Sequence, residues 1–290
     1  MDRANFLHIG TCSWKYDSWR GMVYPESGAA NFLHEYGKHY STVEVDQWFW
    51  SLFSGNKVVL PKRSVIAEYA ASIPDDFVFG IKVPNSITLT HHYSKGKKGP
   101  LLPNPHFLSI NLMQQFLKAI EPLGKHIGPL IFQFEYLNKT KMSGLDEFLS
   151  VFGEFADHLP GGFIYCLETR NRNYLQSRYF ELLAKHDVYH VFLHGYYMPP
   201  IFEVYDQFRE SINDLTIIRL LGSDRQEIEK QTDVDWSRIV APKDEEISRL
   251  ASMVADLRVR QVETYLYVNN HFEGSAPRTI ARIEKALNGS

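Results

Sequence analysis

Along this chain, short runs of β-branched and aromatic residues alternate with longer stretches of helical periodicity. The runs fall at residues 6–11, 42–46, 77–83, 130–134, 163–168, 189–194, 216–221 and 264–269, and each ends near a polar residue. Runs of that length and composition predict strands. Helical patterning predicts helices near 30–39, 60–72, 108–123, 144–158, 174–186, 244–257 and 276–287. In 244–257, Ile247, Leu250, Ala251, Val254 and Leu257 make one apolar stripe. Asn31 or Ser27 is placed to cap the first helix, and Pro61 to open the second. Residues 199–213 look irregular or weakly helical, and the mixed charges of 223–240 match no element.

Eight strands alternating with helices in 290 residues predict an α/β fold, a single (β/α)₈ TIM-type barrel spanning 1–290 as one domain. Regularity breaks only after strand three. Residues 84–107 are rich in proline and glycine, carry a basic cluster at 95–98, and include His91, His92 and His106. A loop that long in a compact domain suits a lid, a binding loop or disorder.

A barrel of this kind gathers the C-terminal ends of its strands around one pocket. That places Glu44, Lys82, Gln133, Glu168, Arg170, Arg219 and Asn269 on the same face despite their separation in sequence. Glu44, Lys82 and Glu168 are the candidate catalytic groups: carboxylates to move protons, and an amine that burial near cations would activate. Gln133, Arg170, Arg219, Asn269, Asn270, Gly274 and Trp14 are the candidate substrate-binding residues. Arginine clamps carboxylate or phosphate with two parallel bonds, and Gly274 followed by Ser275 opens a helix whose amides can meet an anion. Each has a plainer reading. Glu168 with Arg170, or Glu44 with Lys82, makes a structural ion pair; Ser275 caps a helix; the asparagines pin loop backbone. Of the aromatic residues after strands one and two, Trp14 is the stacking candidate, whereas Trp19 and Phe49 suit the core.

The remaining composition narrows the partners. A net charge of −3 disfavours a whole-surface nucleic-acid or membrane binder, because phosphate neutralisation needs clustered basic charge. No apolar stretch reaches the length of a membrane span, and residues 1–10 do not form a signal peptide. The two cysteines, Cys12 just after strand one and Cys166 in strand five, are too far apart in an eight-stranded barrel for a disulfide. Unpaired thiols suit the cytoplasm. Glu44, Asp46, Glu168, His194 and His271 are a conceivable metal set, but no HExxH or paired CxxC spacing supports it, and no motif names a cofactor.

Seven segments in order carry a family resemblance: IGTCSWKYDSWRGMVYP, VEVDQWFW, FVFGIKVPNSIT, GPLIFQF, CLETRNRNY, IIRLLG and YVNNHFEGSAPRTIARI. Together the chain resembles the YecE-like family, a domain of unknown function numbered 72, over about residues 8–285. The resemblance implies a TIM-type barrel and no established activity. Asp46 stands where the family tends to have Asn, and Trp50 where it has Tyr. A Thr-His pair after the strand-three lysine becomes Thr88–Leu89, or Thr90–His91 after a two-residue shift. Glu-x-Arg-His becomes Glu168, Thr169, Arg170, Asn171, and Arg-x-His-Gly becomes Arg219, Leu220, Leu221, Gly222. A histidine proton shuttle then rests on His91, His194 or His271.

The leading expectation is an enzyme binding a small anionic ligand, phosphorylated or carboxylated. The rivals are metal-assisted phosphodiester chemistry on nucleic acid and a non-catalytic binding barrel.

Overall fold

The computed structural model describes residues 6–93, 101–222 and 224–289, so the basic cluster at 95–98 lies outside the described residues. Eight strands, β1 Leu7–Thr11, β2 Thr42–Val45, β3 Val78–Lys82, β4 Ile127–Gln133, β5 Tyr165–Glu168, β6 Val188–Gly195, β7 Leu215–Gly222 and β8 Glu263–Val268, close a barrel in chain order. The α/β barrel expected from the alternating pattern is present. Helices α1 Phe32–Tyr36, α2 Arg63–Ala71, α3 Ile110–Ile120, α4 Leu145–Ala156, α5 Ser177–Lys185, α6 Ile201–Phe208, α7 Asp244–Val259 and α8 Ala276–Asn288 follow their strands. By packing, the chain forms two compact units, one of Met1–Glu44, Ser72–Val78 and His190–Ser290, the other of Val45–Ala71 and Phe79–Tyr189.

In the first unit, β6, β7, β8, β1 and β2 pair in parallel, aligning Leu193 with Arg219, Arg219 with Tyr267, Tyr267 with Gly10, and Gly10 with Thr42. The Phe192 ring packs 5.9 Å from Tyr205 of α6. Strand side chains alternate, so Leu193 and its partners Arg219 and Tyr267 face away from the helices. That face is polar and tied down: the Tyr267 hydroxyl lies 3.0 Å from Thr42 Oγ1.

In the second unit, β3, β4 and β5 pair in parallel, with Lys82 beside Ile131 and Gln133 beside Glu168. Phe132 packs its ring against Phe152 and Phe155 of α4, at 5.9 and 5.6 Å. Burying each such ring stabilises by roughly 1.5–3 kcal/mol. Ile131 and Gln133, and with them Lys82 and Glu168, therefore occupy the opposite face.

Several helix expectations change. Asn31 caps α1 by accepting from the amides of Leu33 and His34, at 3.1 and 3.2 Å. Helix α2 starts at Arg63, two residues beyond Pro61, so Pro61 does not open it. The stretch 199–213 is not irregular: Pro200 precedes α6, whose Ile201, Phe202, Val204, Tyr205 and Phe208 form a buried stripe. Within 223–240, Arg225–Thr232 is helical, with Asp224 accepting from the Glu227 amide at 3.0 Å. It buries only Ile228 and Thr232 and relies on surface pairs such as Arg225–Glu229, at 2.7 Å, so it has little apolar signature. The segment after β3 begins with a buried helical turn, Asn85–Thr88, and His91 bridges to Pro103. Cys12 and Cys166 are both buried and form no disulfide, and burial pushes the Cys166 thiol well up.

Candidate functional site

The predicted residues separate into two groups. In the first unit Arg219 grips Glu44, Nε to Oε2 at 2.5 Å and Nη2 to Oε1 at 2.8 Å. The two side chains are 1% and 0% exposed. The alternation of TVEV sets this up, because Glu44 and Thr42 share the side opposite Val43 and Val45. Two charges removed from water need such paired geometry, so this couple reads as an internal strut.

The β8 loop is committed to itself. Asn269 Oδ1 accepts from the His271 amide at 3.0 Å and lies 2.5 Å from His271 Nδ1. His271 Nε2 lies 3.0 Å from Glu229 Oε1; burial pulls the imidazole pKa down while the Glu229 carboxylate opposes it. Asn270 Oδ1 accepts from the Ala276 amide at 2.8 Å. That corrects the expected Ser275 cap: Ser275 occupies the cap position but makes no side-chain cap bond, because Asn270 reaches the first-turn amide instead. Gly274 adopts φ +110, and a Cβ there would meet the Arg238 carbonyl at 2.7 Å. Its amide donates to the Asn270 carbonyl at 2.7 Å, so it is not offered to an anion. Gly222, at φ +80, has no room either, since a Cβ would sit 2.3 Å from the His271 carbonyl.

Trp14 also changes role. It is fully buried, so neither ring face is open to a ligand. Trp50 is the exposed ring, at 61%, edge-on to Tyr93 at 5.8 Å. His194 pairs with Leu220 and so sits on the helix side of β6, opposite to Arg219; its ring lies 5.0 Å from Phe272. It does not join Glu44. No group of three or more His, Cys, Asp or Glu side chains among the described residues is placed to hold a metal.

Glu273 is the buried acid that the sequence reading passed over. It accepts from the Lys243 amide at 2.7 Å and the Thr279 hydroxyl at 2.8 Å, tying the starts of α7 and α8 together. Its only sequence signal was membership of the VNNHFEGSAP segment.

The second unit assembles the other group. Glu168, fully buried, ends β5 on the face away from α4, with Gln133 beside it in register. Arg170, two residues on, brings Nε to 3.4 Å from Glu168 Oε1 and keeps 23% of its side chain exposed. Lys82, at the end of β3 on that same face, holds Nζ 5.4 Å from the Phe49 ring centroid. Asn171, in the loop after β5, braces the loop after β4, accepting from the Leu137 amide and donating to its carbonyl, both at 2.8 Å. Its place in the CLETRNRNY segment was thus a structural one.

These strand ends sit in a chain whose residues 8–290 match the family model described as protein of unknown function DUF72. The chain belongs to the DUF72 family. This DUF72 protein is 26% identical over 165 residues to UPF0759 protein YecE of Escherichia coli K12, covering 57% of the chain and 48% of that relative. The chain thus spans about half the length of the curated relatives it matches. Its fold matches DUF72 family proteins of Thermotoga maritima MSB8 (TM-score 0.67, 19% identity, 97% of this chain and 99% of that one) and Enterococcus faecalis V583 (0.66, 18%, 98% and 96%). At that identity the likeness concerns the fold alone. Among the described residues of this DUF72 protein, no helix is long and apolar enough to cross a membrane.

Proposed function

We propose that this DUF72 protein is an enzyme acting on a small anionic ligand, phosphorylated or carboxylated, at the ends of β3, β4 and β5. In this reading Arg170 and Lys82 neutralise the ligand, Gln133 orients it, and Glu168 moves a proton. One observation supports it above the others. A fully buried carboxylate, a buried amide and two partly exposed cations share one strand face at the C-terminal edge. Chemistry in barrels of this type is carried at that edge. A buried carboxylate beside a cation is a proton-transfer group whose basicity the ligand can tune. The Glu44–Arg219 couple is left to structure in this reading, and so are Asn269, Asn270, Gly274 and Trp14.

The test uses inorganic phosphate and a panel of phosphomonoesters and small carboxylates, with calorimetry for binding and product detection for turnover. Arg170→Ala and Lys82→Ala are each expected to weaken phosphate binding by about tenfold or more, the worth of a charge-assisted bond. Glu168→Gln should keep binding and lose turnover. Phosphate affinity unchanged in both cation variants would overturn the anion site. Turnover absent from the unaltered protein across the panel would leave a binding barrel instead.

A further inference from the structure

A separate cleft in the first unit invites a ligand of different chemistry. It encloses about 480 Å³ between the end of β6, the turn that follows, and the starts of α6 and α7. That volume lies within the range of small-molecule sites.

Its walls are charge-balanced. Lys243, Glu245, Glu246 and Arg249 all line it from the start of α7, and Lys243 Nζ sits 3.8 Å from Glu246 Oε1. Burial, and then the Lys243 ammonium, pull the His194 pKa down, so the imidazole lining the cleft is neutral at neutral pH. An anion would gain from Lys243 and Arg249 and lose to the two glutamates, and a cation the reverse. What the walls do offer is a mixed set of donors and acceptors, which matches a neutral ligand bearing several hydroxyls.

The apolar side of the cleft is aromatic and held at a cost. Residues 195–198 form a tight turn closed by the Met198 amide on the Gly195 carbonyl at 3.1 Å. Its two central residues, Tyr196 and Tyr197, have φ +53 and +63. Glycine or asparagine normally fills such positions, because a Cβ there crowds the backbone. The turn thereby holds the Tyr197 ring 99% exposed at the rim, with both faces open. Deeper in, Phe202 is covered by the Arg249 guanidinium at 4.5 Å.

We infer that this cleft binds a neutral saccharide of one or two rings, stacked on Tyr197 and hydrogen-bonded by His194, Lys243 and Glu246. Stacking uses the flat apolar face of a sugar, and the paired charges take its hydroxyls from the side. The site does not rest on the Glu168 reading and shares no residue with it.

The experiment is a titration of the isotope-labelled full chain, followed by NMR, with maltose, cellobiose, xylobiose and trehalose. Glycylglycine serves as a zwitterion and inorganic phosphate as an anion. Expected is a saturable shift of the Tyr197, His194 and Lys243 signals with at least one disaccharide. Affinity should fall about tenfold in Tyr197→Ala and in Lys243→Met, with little change in melting temperature. The inference is overturned if no disaccharide shifts these signals or if glycylglycine or phosphate occupies the cleft in their place. Disaccharide affinity that neither variant lowers from that of the unaltered protein overturns it too.

Discussion

The two arginine–glutamate pairs use the same residue types at the ends of barrel strands, yet they are opposites in physical character. Glu44 and Arg219 face each other with two short hydrogen bonds and almost no exposure. Arg170 brings Nε to 3.4 Å from Glu168 Oε1 and leaves nearly a quarter of its side chain to solvent. The first geometry spends the guanidinium's fork on the carboxylate and encloses it, whereas the second leaves part of the arginine exposed. A residue type at a strand end therefore says little about role until its pairing geometry is known.

The largest effect should come from cutting the enclosed pair. Arg219→Met strands a buried carboxylate and is expected to cost about 3–5 kcal/mol in urea unfolding. Combining it with Glu44→Gln should recover a substantial part, since the uncompensated charge is gone. If the double variant is as unstable as the sum of the singles, the strut reading fails. Arg170→Ala marks the other side of the comparison. It should change stability by no more than about 1 kcal/mol while costing phosphate binding about tenfold. A stability loss matching that of Arg219→Met would erase the distinction.

A smaller effect sharpens the comparison from the first unit's side, where strain is stored rather than charge. Tyr197→Gly frees the left-handed turn and should raise stability by roughly 0.5–1 kcal/mol in thermal unfolding, with saccharide binding weakened as in Tyr197→Ala. No gain would mean the turn carries no strain.

The smallest concerns a third, surface pair. Arg209 donates to Asp256 at 2.7 and 2.6 Å, and Tyr205 adds a bond at 2.5 Å. The guanidinium holds the Asp256 carboxyl down from 3.8 to about 2. A carboxyl depressed on folding contributes stability that is complete above its unfolded pKa and lost as pH falls through the folded one. Asp256→Asn should therefore flatten the acid decline of the melting temperature between pH values of about 4 and 2, by lowering it modestly at neutral pH and leaving it nearly unchanged below a pH of about 2.

The barrel itself was legible because its signal is local and repeated. Period-two strands such as TVEVD and the apolar stripe of α7 declare themselves within a dozen residues. Helix Arg225–Thr232 was not legible, since a helix that buries two side chains has almost no stripe to read. Within the candidate site, the sequence placed Lys82, Gln133, Glu168 and Arg170 at strand ends, and the structure finds Gln133 beside Glu168. Trp14 and Gly274 went astray for a common reason. Burial of a ring and occupation of an amide depend on neighbours such as Arg238 and Asn270, which spacing does not reveal.

What the chain dictated alone was a rhythm of strands and helices, and so the set of side chains available at the strand ends. Partner choice came only with tertiary structure: Arg219 taking Glu44, Asn270 displacing Ser275 as the cap, Tyr197 left standing in solvent. Periodicity is a property of neighbouring residues, whereas a charge is enclosed or open according to groups more than a hundred positions away, brought close only when the sheet folds.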